Sequence, residues 1–108
     1  MVKNERQRYI LFKIIREEGT DFGSPDFLRA IWQSIWRYFG MKEANKIGLW
    51  LLELNLEENY GIIRSSHIMK ETIISALTLV KEINGKNIII SPLRTSGTLK
   101  AINKIKSL

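Results

Sequence analysis

Apolar and polar positions change period several times along this chain, and each change marks an element. Residues 8–15 read Arg-Tyr-Ile-Leu-Phe-Lys-Ile-Ile, β-branched and aromatic with few breakers, and predict a strand. A polar loop over Glu17 to Gly23 follows. Ser24-Pro25-Asp26 then predicts a helix start, with Ser24 as cap, Pro25 at the first position and an acid in the first turn. Leu28, Ile31, Trp32, Ile35 and Phe39 recur at helical spacing, so this helix is expected to reach Tyr38 or Phe39 and stop at Gly40. Residues 41–46 read as a short polar connection or one helical turn. Leu49 to Leu56 and Tyr60 to Ser65 predict two strands of a hairpin joined by Glu57-Glu58-Asn59. A second helix is expected from His67 to Ile83, capped by Ser66 and ended by Asn84-Gly85. Its inner stripe is Met69, Ile73, Ala76, Leu77 and Val80. Lys86 to Ser91 predicts the fourth strand, and Thr98 to Lys106 the third helix.

That order predicts an α+β domain of the split βαβ kind, ferredoxin-like or RRM-like. The expected form is a four-stranded antiparallel sheet with two helices on one face, plus a C-terminal helix. Residues 1–108 make a single domain, with no repeat and no linker. The usual order of that fold sets the fourth strand beside the first, with the hairpin on the other side. Alternation directs Ile10, Phe12 and Ile14 inward, and Tyr9, Leu11 and Lys13 to the opposite face. The hairpin residues assigned to that face are Leu49, Leu51, Glu53, Ile62 and Arg64. So apolar a face does not lie bare. Leu99, Ile102 and Ile105 of the last helix are expected to cover part of it, and a protein partner the rest. Leu49, Leu51 and Ile62 are the candidate partner contacts. Trp36 joins them because it falls, with Phe27, at the edge of the first helix's buried arc.

The net charge of +6 matters through its placement. Lys3, Arg6, Arg8, Lys13 and Arg16 crowd the first sixteen residues against Glu5 alone, and Lys86, Arg94, Lys100, Lys104 and Lys106 meet no acid in the last stretch. The middle of the chain is net acidic. If the fold joins the two ends, they form one basic face, the footprint of a polyanion binder. Leu93-Arg94-Thr95-Ser96-Gly97-Thr98-Leu99-Lys100 sharpens this. It predicts a small-residue turn into a helix, with Ser96 or Thr98 capping, Gly97 relaxing the backbone and free N–H groups facing a phosphate. The candidate phosphate contacts, RNA contacts if the polyanion is RNA, are Arg8, Lys13, Arg64, Arg94, Ser96, Gly97, Thr98, Lys100 and Lys104.

Chemistry for bond breaking is not indicated. There is no Cys, and the sole histidine, His67, falls in the first turn of the second helix. Glu17, Glu18 and Asp21 share one loop, where clustered acids are usually solvated, so no metal site is expected. No nucleotide-binding or hydrolase motif is present. The third strand, Tyr60-Gly61-Ile62-Ile63-Arg64-Ser65, lacks the aromatic pair on which an RRM stacks bases, so recognition is expected to rest on phosphates. No run is long enough to span a membrane, and the chain is expected to be soluble and cytoplasmic.

Arg8-Tyr9-Ile10-Leu11-Phe12, Gly61-Ile62-Ile63-Arg64, Ser75-Ala76-Leu77-Thr78-Leu79 and Leu93-Arg94 with Gly97-Thr98 together resemble archaeal ribonuclease P protein component 2, the counterpart of the eukaryotic Pop-five subunit. The resemblance runs over nearly the whole chain. It implies a non-catalytic subunit of a ribonucleoprotein whose RNA removes the 5′ leader of precursor tRNA using magnesium. The implied partners are ribonuclease P RNA, precursor tRNA indirectly, and the TIM-barrel-like protein component 3, in a heterotetramer built on a dimer of this subunit. No cofactor bound by the protein itself is implied. The rival readings are a protein-interaction module with an incidental basic edge, an RRM-type single-strand binder, and a small-molecule-binding ferredoxin-like domain.

Overall fold

The elements follow in the order β1 (Gln7–Arg16), α1 (Ser24–Lys46), β2 (Trp50–Asn55), β3 (Tyr60–Ser66), α2 (Lys70–Leu79), β4 (Glu82–Ile83), β5 (Lys86–Ser96) and α3 (Leu99–Lys106) in a computed structural model. The structure describes residues 6–46 and 48–106. The strands form one sheet in the order β2-β3-β1-β5-β4, every neighbour antiparallel. β5, the expected fourth strand, lies beside β1, with the β2–β3 hairpin on the other side.

The sheet has five strands rather than four because of Asn84-Gly85. Both residues have positive φ (54° and 80°), the backbone of a two-residue type I′ hairpin turn. They turn β4 into β5 instead of ending a helix. α2 accordingly stops at Leu79, with Val80 extended. It also starts late: Ser66 pairs with Gln7 in β3 and caps nothing. His67 is not helical; it sits exposed in the bend before α2, its backbone N–H donating to the Arg6 carbonyl at 2.7 Å.

In α1 the cap differs from the expected Ser24. The Asp26 carboxylate accepts the Gly23 N–H at 3.2 Å, while the Phe27 N–H donates to the Gly23 carbonyl at 3.1 Å. That is the back-reaching half of a capping box. Gly40 (φ 88°) breaks the helical path where the sequence predicts a stop, and a second helical stretch continues to Lys46. Ile10, Phe12 and Ile14 of β1 are buried against Ile31 and Ile35 of α1 and Ile73, Ala76 and Leu77 of α2. Phe27 is no edge residue. It is fully buried, its ring stacked at 5.2 Å on Phe12 and at 6.2 Å on Phe22.

Two bulges redirect the sheet. Leu51 faces Ile63 and Glu53 faces Ile62, so Leu52 is an extra residue in β2. One extra residue reverses which face its neighbours take. Leu49 and Leu51 therefore pack against the main core, not on the opposite face, and Trp50 takes that face beside Arg64. In β5, Pro92 faces Phe12 and Arg94 faces Leu11, leaving Leu93 as the extra residue. A bulge tolerates a proline, which has no N–H for the ladder. The strand thus runs on through Arg94, Thr95 and Ser96, and the expected turn shrinks to Gly97-Thr98.

α3 lies over the outer sheet face. Ile102 is fully buried with Leu11 and Ile62, and Tyr9 and Tyr60 pack around them. Ile62 is thus covered by the chain's own helix and is not left for a partner. The side chains of Ile105 and Lys106, and Lys3, lie outside the described residues.

Candidate nucleic-acid interface

The β1–β5 pairing, from Tyr9 opposite Ser96 to Arg16 opposite Ile88, joins the two basic ends of the chain. Three rows cross the outer face: Ser96–Tyr9–Arg64–Trp50, Arg94–Leu11–Ile62–Glu53 and Ser91–Lys13–Tyr60–Asn55. Arg94 and Arg64 fall in adjacent rows two strands apart, roughly 12 Å by strand spacing and rise. Lys13 is exposed one row further on. Lys100 and Lys104, one helical turn apart and both exposed, extend the charge onto α3.

The turn into α3 is built differently from the expected phosphate loop. Thr98 is the cap: its Oγ1 accepts the Ala101 N–H at 3.2 Å. Ser96 Oγ accepts the Thr98 N–H at 3.2 Å, so that amide is already satisfied. Gly97 does not have positive φ. Its missing side chain serves Arg8 instead, since a Cβ there would stand 3.0 Å from the Arg8 Nη1. Arg8 thereby lies against the turn, with Nη1 donating to the Gln7 carbonyl at 3.2 Å.

Not every terminal cation belongs to the face. Arg16 is internal: Nε donates to Asn59 Oδ1 and Nη2 to the Leu56 carbonyl, both at 2.9 Å, and Nη1 donates to the Thr20 carbonyl. It ties the β1–α1 loop to the β2–β3 turn. Among the described residues the ion pairs are Arg29–Asp26 at 3.3 Å and Lys70–Glu71 at 3.6 Å, both on the helical side. The Gly23 N–H, the Asn84 side chain and the Arg29 guanidinium hold the Asp26 carboxyl below its ordinary value. Lys13, Arg64, Arg94 and Lys100 form no ion pair among the described residues. The Glu17 carboxylate accepts the Asn87 N–H at 2.7 Å and clips its loop to β5. Among the described residues no three His, Asp or Glu side chains gather into a metal-holding group.

Of the expected partner contacts, only Trp36 is open, half-exposed on α1 beside an equally exposed Tyr38. Sequence alternation missed Trp50. It is 58% exposed on the outer face, with Arg64 Cζ 5.5 Å from its ring centroid. No local signal announces the Leu52 bulge that puts it there.

A small α+β domain that leaves several cations uncompensated on one face has the build of a polyanion-binding module. The chain belongs to the Rpp14/Pop5 family, which it matches over residues 8–105. It is 35% identical over 100 residues to the ribonuclease P protein component 2 of Pyrococcus furiosus, covering 93% of this chain and 82% of that one. Against the ribonuclease P protein component 2 of Saccharolobus islandicus it is 31% identical over 109 residues, covering 97% and 75%. A chain in the cryo-EM structure of yeast ribonuclease MRP has a similar fold, with a TM-score of 0.72 over 99% of this chain and 93% of that chain at 14% identity. The resemblance read from the sequence holds. No helix among the described residues is long and apolar enough to cross a membrane.

Proposed function

We propose that this chain is a protein subunit of ribonuclease P that grips the backbone of the catalytic RNA and leaves cleavage of precursor tRNA to that RNA. Family membership and the names of the archaeal relatives support the assignment. One observation carries the mechanism: strand register gathers Lys13, Arg64 and Arg94 onto one face, where they form no ion pair among the described residues, beside the lysines of α3. Such cations neutralise phosphates where RNA segments pack closely, and so lower the magnesium the RNA needs to fold. The magnesium belongs to the RNA. Arg8 lies beside Gly97 and adds its charge to this face, and Ser96 and Thr98 shape the turn that launches α3.

The protein partners in this reading are the TIM-barrel-like component 3 and a second copy of this chain, in the cytoplasm. The half-exposed Trp36 on α1 is the contact such a partner would use. The strand order supports a ferredoxin-like scaffold.

Reconstituted holoenzyme carrying Arg94→Ala tests the mechanism. The variant is expected to need more magnesium, to lose about 0.7 to 0.9 from the slope of log K against log salt, and to cleave at the same site. Unchanged magnesium and salt dependence would rule the role out.

A further inference from the structure

α3 covers the middle of the outer sheet face, and Tyr9 and Tyr60 are partly buried around Ile102. These are the sheet aromatics that a base-stacking surface of this topology would otherwise use. One aromatic on that face stays open. Trp50 lies on the edge strand β2, where the Leu52 bulge sets it opposite Arg64. The Arg64 guanidinium, 5.5 Å from the ring centroid, covers one side of the indole and fixes its orientation. The rest of the ring faces solvent, since the residue is 58% exposed. Leu52, 41% exposed, adds apolar surface beside it.

Arg64 is unusual in its own right. It forms no ion pair among the described residues, and its Nε is buried with no hydrogen-bond partner. The nearest acid in the hairpin, Glu53, accepts a hydrogen bond from the Tyr60 hydroxyl. Burying an unpaired polar atom of a charged group opposes folding. A cation left that way against an open indole is matched by a ligand that brings both a flat π face and a negative charge.

We propose that Trp50 and Arg64 form a subsite for one unpaired nucleobase of RNA. The base stacks on the open side of the indole, and Arg64 supplies positive charge for the adjoining phosphate. Stacking needs only one free ring face and reads no sequence, which suits a single exposed tryptophan without a surrounding pocket. A protein anchor would instead need an apolar ring around it to exclude water, whereas Trp50 faces the charged Arg64 across the hairpin and has Leu52 as its exposed apolar neighbour in β2. Trp50 sits three strand spacings from Ser96, roughly 14 Å, so the subsite extends the basic face at its hairpin edge, with Arg64 shared between the two. This inference rests on the RNA-binding reading given above.

The full-length chain is titrated against an RNA hairpin with an unpaired loop and against a blunt duplex of the same stem. Trp50→Ala is expected to weaken hairpin binding about tenfold, to leave duplex binding unchanged and to leave the salt slope unchanged, because stacking releases no counterions. Trp50→Phe should restore most of the hairpin affinity, and both variants should melt near the wild-type temperature. Equal losses on both RNAs, or no loss on the hairpin, would overturn the subsite. So would intact hairpin affinity combined with lost assembly into the protein complex, which would make Trp50 a protein contact. Wild-type protein that binds both RNAs while Trp50→Ala is silent removes only the subsite. Wild-type protein that binds neither removes the RNA-binding reading and the subsite with it.

Discussion

Gly61→Ala tests how tightly the hairpin is seated on the core. Gly61 faces Phe12 across the β1–β3 pairing. An added Cβ would stand 2.3 Å from Phe12 Cζ, 2.7 Å from Cε1 and 3.0 Å from the Glu53 carbonyl oxygen. Carbon atoms pack comfortably at about 3.5 to 4.0 Å, so the ring would have to retreat by more than ~1 Å. It has nowhere to go. Phe12 is fully buried and stacks on Phe27 at 5.2 Å, which in turn stacks on Phe22 at 6.2 Å. The β2 backbone blocks movement the other way. Overpacking of this kind costs about 1–3 kcal/mol. Restricting the unfolded chain returns only ~0.4–1 kcal/mol. With contacts this short the upper part of the range applies, leaving a net loss of about 2 kcal/mol. At ~4–8 °C per kcal/mol in a domain of this size, the melting temperature should fall by roughly 10 °C. Calorimetry reads that drop, and urea unfolding should show a lower midpoint at unchanged slope. Adding Phe12→Leu should recover part of the loss, because the two sites share one space. A Gly61→Ala protein that melts within ~2 °C of wild type would refute the packing described for β3.

Two further outcomes are expected. An eight-residue helix has no stability of its own, and Ile102 is the one fully buried side chain described in α3. Ile102→Ala, worth about 2–5 kcal/mol at a core site, should therefore undock α3: its amides lose hydrogen-exchange protection while β1 and β3 keep theirs. RNA binding should lose ~1.4–1.8 of its salt slope as Lys100 and Lys104 leave the face, and protection unchanged in α3 would sink the idea. For Asp26 the carboxyl is held below 3.8 by the Gly23 N–H, then by Asn84 and Arg29. Its stabilisation is then present above the unfolded value and fades as pH falls through the folded one. Thermal melts from about pH 2 to pH 6 should show a shallower acid limb for Asp26→Asn, and superimposable limbs would contradict the cap geometry.

Strict alternation made β1 legible: Ile10, Phe12 and Ile14 are core, and Leu11 lies under α3. The α2 stripe was legible for the same reason, because Met69, Ile73, Ala76, Leu77 and Val80 repeat at a helical period and are all buried. The bulges at Leu52 and Leu93 were not, since an extra residue leaves no mark in composition while reversing the faces of its neighbours. That is why Leu49 and Leu51 were expected on the wrong face and Trp50 was missed. Asn84-Gly85 was ambiguous for a different reason. The same dipeptide serves as a helix end or as a type I′ turn, and only the pairing of β4 with β5 decides. Gly97 reads in the sequence as a relaxed turn, whereas its φ is not positive and what an added Cβ would meet is the Arg8 Nη1 at 3.0 Å.

Net charge alone would have misplaced the interface, because position decides which cations a partner can meet. Arg16 stands among the basic residues of the N-terminal segment yet is consumed by the Asn59, Leu56 and Thr20 contacts that hold loops together. The acids are likewise distributed by the fold. Asp26 and Glu71 pair on the helices, Glu17 clips a loop, and Glu53 is engaged by Tyr60. What remains is a face where Lys13, Arg64, Arg94 and Lys100 repel one another and form no ion pair among the described residues, with Glu53 as the acid that the strand rows place there. A chain optimised only for its own stability would have mixed the signs. Segregating them makes the isolated domain less stable and the complex with a polyanion correspondingly more favourable, because bound phosphates remove the repulsion as well as supplying attraction. α3 completes the arrangement: it seals Leu11 and Ile62 from water while adding lysines to the same face. The middle of the outer sheet face is thereby covered within the chain, and the charge on that side stays open to the polyanion that the proposed function requires.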